Sequence, residues 1–235
     1  MTHKKLKEQV WSIQKAEEYM EPFGVIKGVN FIPSYCYSYI EMWHHFREDC
    51  ILRELQYARE AGVNSLRIFV AACQWESRKE LVRRNLDRFL DFCAEFKFSV
   101  MLTLQPNTYM IPGWKIQEKE DPFQIHFQPG IHDGGWGYKD ARIFDCSGRW
   151  IENKAGIGDF VTEILQIYGQ DSRVSFWDLY NEPWEECREL LEFVFCRARE
   201  VNPIQPLTSC WRAWDISDIT TFHCYEKPGA GYRKQ

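Results

Sequence analysis

A few short stretches of the chain carry side chains that could do chemistry. In WDLYNEP (177–183), Asn181 and Glu182 follow an apolar run and precede Pro183. A carboxyl at the end of a buried strand sits in a low-dielectric, partly enclosed setting. That setting raises its affinity for a proton and suits general acid/base work. The neighbouring amide is a neutral donor able to grip a ligand hydroxyl, and Pro183 fixes the exit of the chain. Taken alone, a Glu before Pro is equally a helix-start residue; its place after an apolar strand favours the functional reading. Arg67 is a lone charge within SLRIFV (65–70). If buried it needs a partner, either in a core ion pair or among carboxylates at the mouth of a site. His223 and Tyr225 alternate in FHCY (222–225), so on an extended chain they share one side. A satisfied core histidine is the competing reading. Trp211 ends QPLTSCW (205–211), where a stacking platform, a lid and a core residue are all open.

The elements that must position these residues alternate between strand-like and helix-like segments. VIKGVNFI (25–32) reads as a strand. DCILRELQYAREA (49–61) places Ile51, Leu52, Leu55 and Ala58 on one face of a 3.6-residue period, with Gly62 as a stop. VNSLRIFVA (63–71) is strand-like, and Ser77 to Glu80 matches a capping box that opens a helix carrying Leu81, Leu86, Phe89, Leu90 and Cys93 inward. FSVMLTLQ (98–105) has the continuous apolar character of a strand covered on both faces. Residues 106–154 are punctuated by Pro and Gly and predict a long functional loop over one face. GDFVTEILQIY (158–168), VSFWDLYNEP (174–183), ECRELLEFVFCRAREV (186–201), QPLTSCW (205–211) and ITTFHCY (219–225) then read as helix, strand, helix, strand and strand.

Such alternation predicts a parallel sheet with covering helices, either doubly wound or a (β/α)₈ barrel. A nucleotide-binding open sheet would carry a glycine-rich turn after its first strand. Asn-Phe-Ile-Pro-Ser-Tyr (30–35) is not one, and the barrel is favoured. In a barrel, chemistry collects at the C-terminal ends of the strands, where Glu182 and its companions fall.

Composition narrows the field. The chain has 235 residues, of which 45% are hydrophobic, too many for a disordered chain. A net charge of −5 gives no electrostatic reason to bind nucleic acid. There is no run of about 18 apolar residues to span a membrane. The N-terminal MTHKKLKEQVWSIQ has no apolar core of a secretory signal. Nine cysteines without any C-x-x-C spacing read as reduced thiols of a cytoplasmic protein. His44, His45, His126, His132 and His223, with Asp133 and Asp145, show neither H-x-H nor H-E-x-x-H spacing, so no metal site and no cofactor is expected.

GVNFIPS (28–34), AREAGVNSLRIFV (58–70), DSRVSFWDLYNEP (171–183) and FHCY (222–225) together resemble clan A glycoside hydrolases, most closely the cellulase-like glycoside hydrolase family 5. The resemblance covers about residues 24 to 225. It implies a retaining mechanism on β-linked glycosides, with an oligo- or polysaccharide substrate. Glu182 would be the acid/base, and Asn181 would hold the sugar 2-hydroxyl. Arg67 would lie by the nucleophile, and His223 and Tyr225 would line the subsite at the cleaved bond. Trp75, Trp114, Trp136 and Trp211 would be candidate stacking faces.

The family's nucleophile lies at the end of strand seven. After Tyr225 the sequence EKPGAGYRKQ holds one carboxylate, Glu226, and no seventh strand is legible. Residues 1–235 are therefore expected to form a single, incomplete TIM barrel of about six βα units, with strands seven and eight missing. Open sheet edges predict self-association or a partner over the gap. The accompanying alternative is a catalytically inactive, carbohydrate-binding remnant of such an enzyme.

Overall fold

The computed structural model describes residues 3–36, 39–70, 72–104, 154–183 and 187–224. Two helices, α1 (His3–Glu8) and α2 (Ile13–Met20), and a 3₁₀ turn (Glu21–Phe23) precede β1 (Gly28–Asn30). Then come α3 (Tyr39–His44), α4 (Glu48–Glu60), β2 (Ser65–Phe69), α5 (Ala72–Glu95) and β3 (Ser99–Thr103). After the segment outside the description follow α6 (Lys154–Tyr168), β4 (Phe176–Asp178), α7 (Arg188–Val201) and β5 (Leu207–Thr208).

The helices form where the apolar period demands. In α4, Ile51 and Leu55 are fully buried, and Leu52 and Ala58 pack against the core. Gly62, at φ +83°, then turns the chain in a conformation that costs glycine least. In α7, Leu191, Val194, Phe195 and Ala198 face inward, and Asn202 ends the helix in the left-handed region before Pro203. The helices α6 and α7 approach so closely that a Cβ on Gly158 would lie 2.6 Å from the Phe193 ring. A larger residue there would require the Phe193 ring to shift.

All strand pairs are parallel, and the sheet order is β1-β2-β3-β4-β5. A doubly wound sheet reverses its strand order at a switch point. Here the order follows the chain without reversal, as in a barrel wall. The outer side chains of β2 and β3, Leu66, Ile68, Val100 and Leu102, are fully buried under the helices. The alternate residues Ser65, Arg67, Phe69, Ser99, Met101 and Thr103 face the other side. At the N-terminal end of β4, Phe176 packs against Tyr19 and Phe23, with ring centroids 6.3 and 5.0 Å apart, and Tyr19 donates its hydroxyl to the Ser175 carbonyl. The turn after α2 thus closes the end of the sheet opposite the candidate site.

Three expectations are corrected. The helix expected to open at Ser77 begins at Ala72, and the break at the capping box falls on Arg78, whose φ −146° and ψ 46° interrupt α5. Residues 219–224 are not a strand, although they run beside β5 in its direction. Asp218 N–H donates to the Leu207 carbonyl, and the Thr208 hydroxyl donates to the Ile219 carbonyl. The Thr208 hydroxyl also meets that of Thr221 at 2.8 Å. Side-chain hydroxyls replace the ladder, as Thr can. The strand forecasts were also too long at β1, β4 and β5, where only the paired residues count. The loop expected over 106–154 lies almost wholly outside the described residues.

Candidate active site

The register of the sheet sets the floor of the site. Asn30 is level with Arg67, Thr103 with Asp178, and Asp178 with Thr208. Arg67 is level with Met101 on β3 and reaches across that strand to β4. Its Nε and Nη2 donate to Asp178 Oδ2 at 3.2 and 2.5 Å. The same Nη2 donates to Asn181 Oδ1 at 2.7 Å, and Nη1 donates to Asn30 Oδ1 at 3.3 Å. Thr103 Oγ1 adds a 3.2 Å bond to Asp178 Oδ2. The guanidinium lies 4.7 Å from the centroid of the Phe69 ring. Side-chain exposure is 15% for Arg67 and 3% for Asp178, so the pair is desolvated and both charges depend on each other. Among the described residues, Asp178 Oδ1 and Asn181 Nδ2 are buried without hydrogen-bond partners.

Above this floor the chain leaves β4. Leu179 N–H still donates to the Thr208 carbonyl. Beyond it, Ser209 Oγ donates to the Tyr180 carbonyl at 2.7 Å, and Glu182 N–H donates to Cys210 Sγ at 2.9 Å. Glu182 itself has φ +49°. A side chain with a Cβ is disfavoured there by about 1–2 kcal/mol. The residue before a proline is additionally pushed toward extended backbone. The observed conformation is therefore imposed by its surroundings. It brings Glu182 Oε1 to 2.6 Å from His223 Nδ1, both side chains remaining partly open to solvent. A carboxyl in contact with an imidazole at a strand end can release and retake a proton, which is the requirement of a general acid/base. The Trp211 indole meets the His223 ring edge-on, centroids 5.9 Å apart.

The structure thus brings Arg67, Asn181, Glu182, His223 and Trp211 to one end of the sheet; Tyr225, Glu226, Trp114 and Trp136 lie outside the described residues. Arg67 is the core ion pair and the support of Asn181 at once. Trp75 is not an open ring face: it is buried against Phe160, and its indole N–H donates to Glu163 at 3.0 Å. Sequence reasoning missed Asp178, Thr103, Asn30, Ser209 and Cys210. The signal for Asp178 was available, because it is the single charge in an apolar strand just as Arg67 is, with the opposite sign. Among the described residues, no three of His, Cys, Asp or Glu gather as a metal-binding group, and no helix is long and apolar enough to cross a membrane.

No protein-family model matches the chain, and no curated protein sequence matches it. Solved structures do. A GH5_18 protein from Bifidobacterium longum subsp. infantis superposes with a TM-score of 0.52 at 12% identity, covering 84% of this chain and 50% of that one. The exo-β-1,4-mannosidase Op5Man5 from Opitutaceae bacterium strain TAV5 gives 0.50 at 21% identity, covering 79% and 31%. A GH5_18 protein from Streptomyces cattleya, in complex with GlcNAc, gives 0.50 at 12% identity, covering 78% and 43%. The chain therefore has the fold of part of a TIM barrel, similar to those of these structures, and spans half or less of the length of each.

Proposed function

We propose that the chain is a glycoside hydrolase-like protein acting on β-linked glycosides by a retaining mechanism, with Glu182 as its acid/base. The observation that carries this reading is the Glu182 carboxyl 2.6 Å from His223, at the C-terminal end of the fourth strand of a barrel wall. As acid, Glu182 gives its proton to the leaving glycosidic oxygen; as base, it takes one from the water that follows. Asn181, held by Arg67, grips the sugar 2-hydroxyl. His223 lines the subsite at the cleaved bond, a role that the family resemblance also gives to Tyr225, and Trp211 offers a ring face beside it. The GlcNAc bound in the Streptomyces cattleya structure supports a saccharide as the ligand class. The chemistry calls for no cofactor.

A retaining mechanism also needs a nucleophilic carboxylate about 5–5.5 Å from the acid/base. The Arg67 side chain, which the family resemblance sets beside that nucleophile, is engaged here by Asp178. This favours a second reading, a saccharide-binding protein that keeps the acid/base and turns over little or nothing. A panel of aryl β-glycosides and saccharide titration calorimetry, each run on the wild type and Glu182→Gln, separates the two. Turnover abolished in Glu182→Gln supports the enzyme. Binding without turnover supports the second reading, and neither binding nor turnover sinks both.

A further inference from the structure

Past Asp178 the backbone ladder between β4 and β5 makes one more bond, from Leu179 N–H to the Thr208 carbonyl. The next two anchors come from side chains. Ser209 and Cys210 follow β5 directly, are 0% and 1% exposed, and reach back to the Tyr180 carbonyl and the Glu182 N–H. We infer that Ser209 and Cys210 form a clamp on the exit of β4 that positions the Glu182 carboxyl. They are positioning residues, acting on the backbone of Glu182.

The argument is geometric. Residue 182 is in the left-handed region and precedes a proline, two circumstances that favour relaxation to extended backbone. Its side chain is tied at the far end by His223 and its amide at the near end by Cys210. With the amide released, relaxation of φ would swing the carboxyl away from the imidazole. Burial pushes the Cys210 thiol up to about 12, so the sulfur is a neutral acceptor throughout the working range. A neutral sulfur holds the amide without setting a second negative charge beside the carboxylate. Ser209 secures the carbonyl two residues earlier, so the segment is held on both sides of Asn181.

The consequence for turnover rests on the reading of Glu182 as acid/base, whereas the clamp is tested without substrate. In the ¹⁵N-labelled 235-residue chain, Cys210→Ala should speed hydrogen exchange at the Glu182 amide by about fivefold or more, the effect of losing one neutral hydrogen bond. It should also move the His223 imidazole resonances. Cys210→Ser, which keeps an acceptor, should return both toward wild type, a rescue that loss of packing alone would not show. If Cys210→Ala fails to fold, Cys210→Val, which fills the space without accepting, is read in the same way. A folded variant lacking the acceptor but keeping wild-type exchange at Glu182 and wild-type His223 signals overturns the clamp. Where the wild type turns over a glycoside, the freed amide should lower kcat and leave KM unchanged; an unaltered kcat overturns the positioning role. A wild type without turnover counts against the glycosidase reading alone, since the resonance measurements still decide the clamp.

Discussion

At the scale of single residues, Arg67 is the part of the site with least freedom to change. One guanidinium joins Asn30, Asp178 and Asn181, which come from two strands and the exit of the second. A planar fork with five donors can span those three acceptors, whereas a lysine offers one compact nitrogen. Arg67→Lys should keep the charge opposite Asp178 but release at least one amide. A loss of about 1–3 kcal/mol is expected in denaturant titration, together with weaker saccharide binding. Arg67→Ala leaves the Asp178 carboxylate buried and uncompensated, and about 3–5 kcal/mol is expected. Equal stability of the lysine variant and the wild type would show that the fork geometry is not used. The motif residues Asn181 and Glu182 were legible because a polar pair after an apolar strand is conspicuous. Cys210 was not, since in sequence it reads as a small hydrophobe. Nor was the left-handed backbone of Glu182, which opposes the local preference and is accompanied by contacts with Cys210 and His223, far away in sequence.

At the scale of elements, the five strands were legible from short segments of apolar, β-branched and aromatic residues, and the sheet trimmed them to the residues that find partners. The run 63–71 became 65–69 and the run 98–105 became 99–103. The sixth run failed to become a strand for a visible reason: Thr208 and Thr221 spend their hydroxyls on the contact that a ladder would make. What holds this segment in place is a carboxylate that composition could not single out. Asp218 accepts from Trp11 N–H at 2.9 Å, from Leu207 N–H at 2.8 Å and from both Nη atoms of Arg199 at 2.7 Å. It joins the linker between α1 and α2, the helix α7 and the start of β5, with side-chain exposures of 8% for Arg199 and 0% for Asp218. Asp218→Asn preserves shape but turns an NH₂ toward donors. A loss of about 3–5 kcal/mol is expected, which lowers the melting temperature by roughly 6–20 °C for a chain of this size. A shift under about 2 °C in calorimetry would mean that the pair contributes no more than a surface ion pair.

At the scale of the whole molecule, the lumen side of the sheet is covered less completely than the side under the helices. A closed barrel fills its lumen with side chains. Here the lumen-side residues Ser99 and Met101 are partly exposed, while Val100 and Leu102 beneath the helices are fully buried. The two ends of the sheet also differ. Beside β5, residues 218–221 supply the contacts described above. Among the described residues, β1 pairs with β2 alone. Val29 there is 41% exposed, and Val25 and Ile26 just before it are open as well. An exposed strand edge flanked by apolar side chains is a template for another edge. The chain should therefore associate in a concentration-dependent manner through β1. Val29→Lys, which places a charge on that edge without removing a buried group, should shift sedimentation velocity profiles toward monomer and leave the melting temperature within a few degrees. A wild type that sediments as a monomer at every concentration and melts in one cooperative step would show that the β1 edge is protected after all. Association unaltered by the lysine would place the contact on some other face.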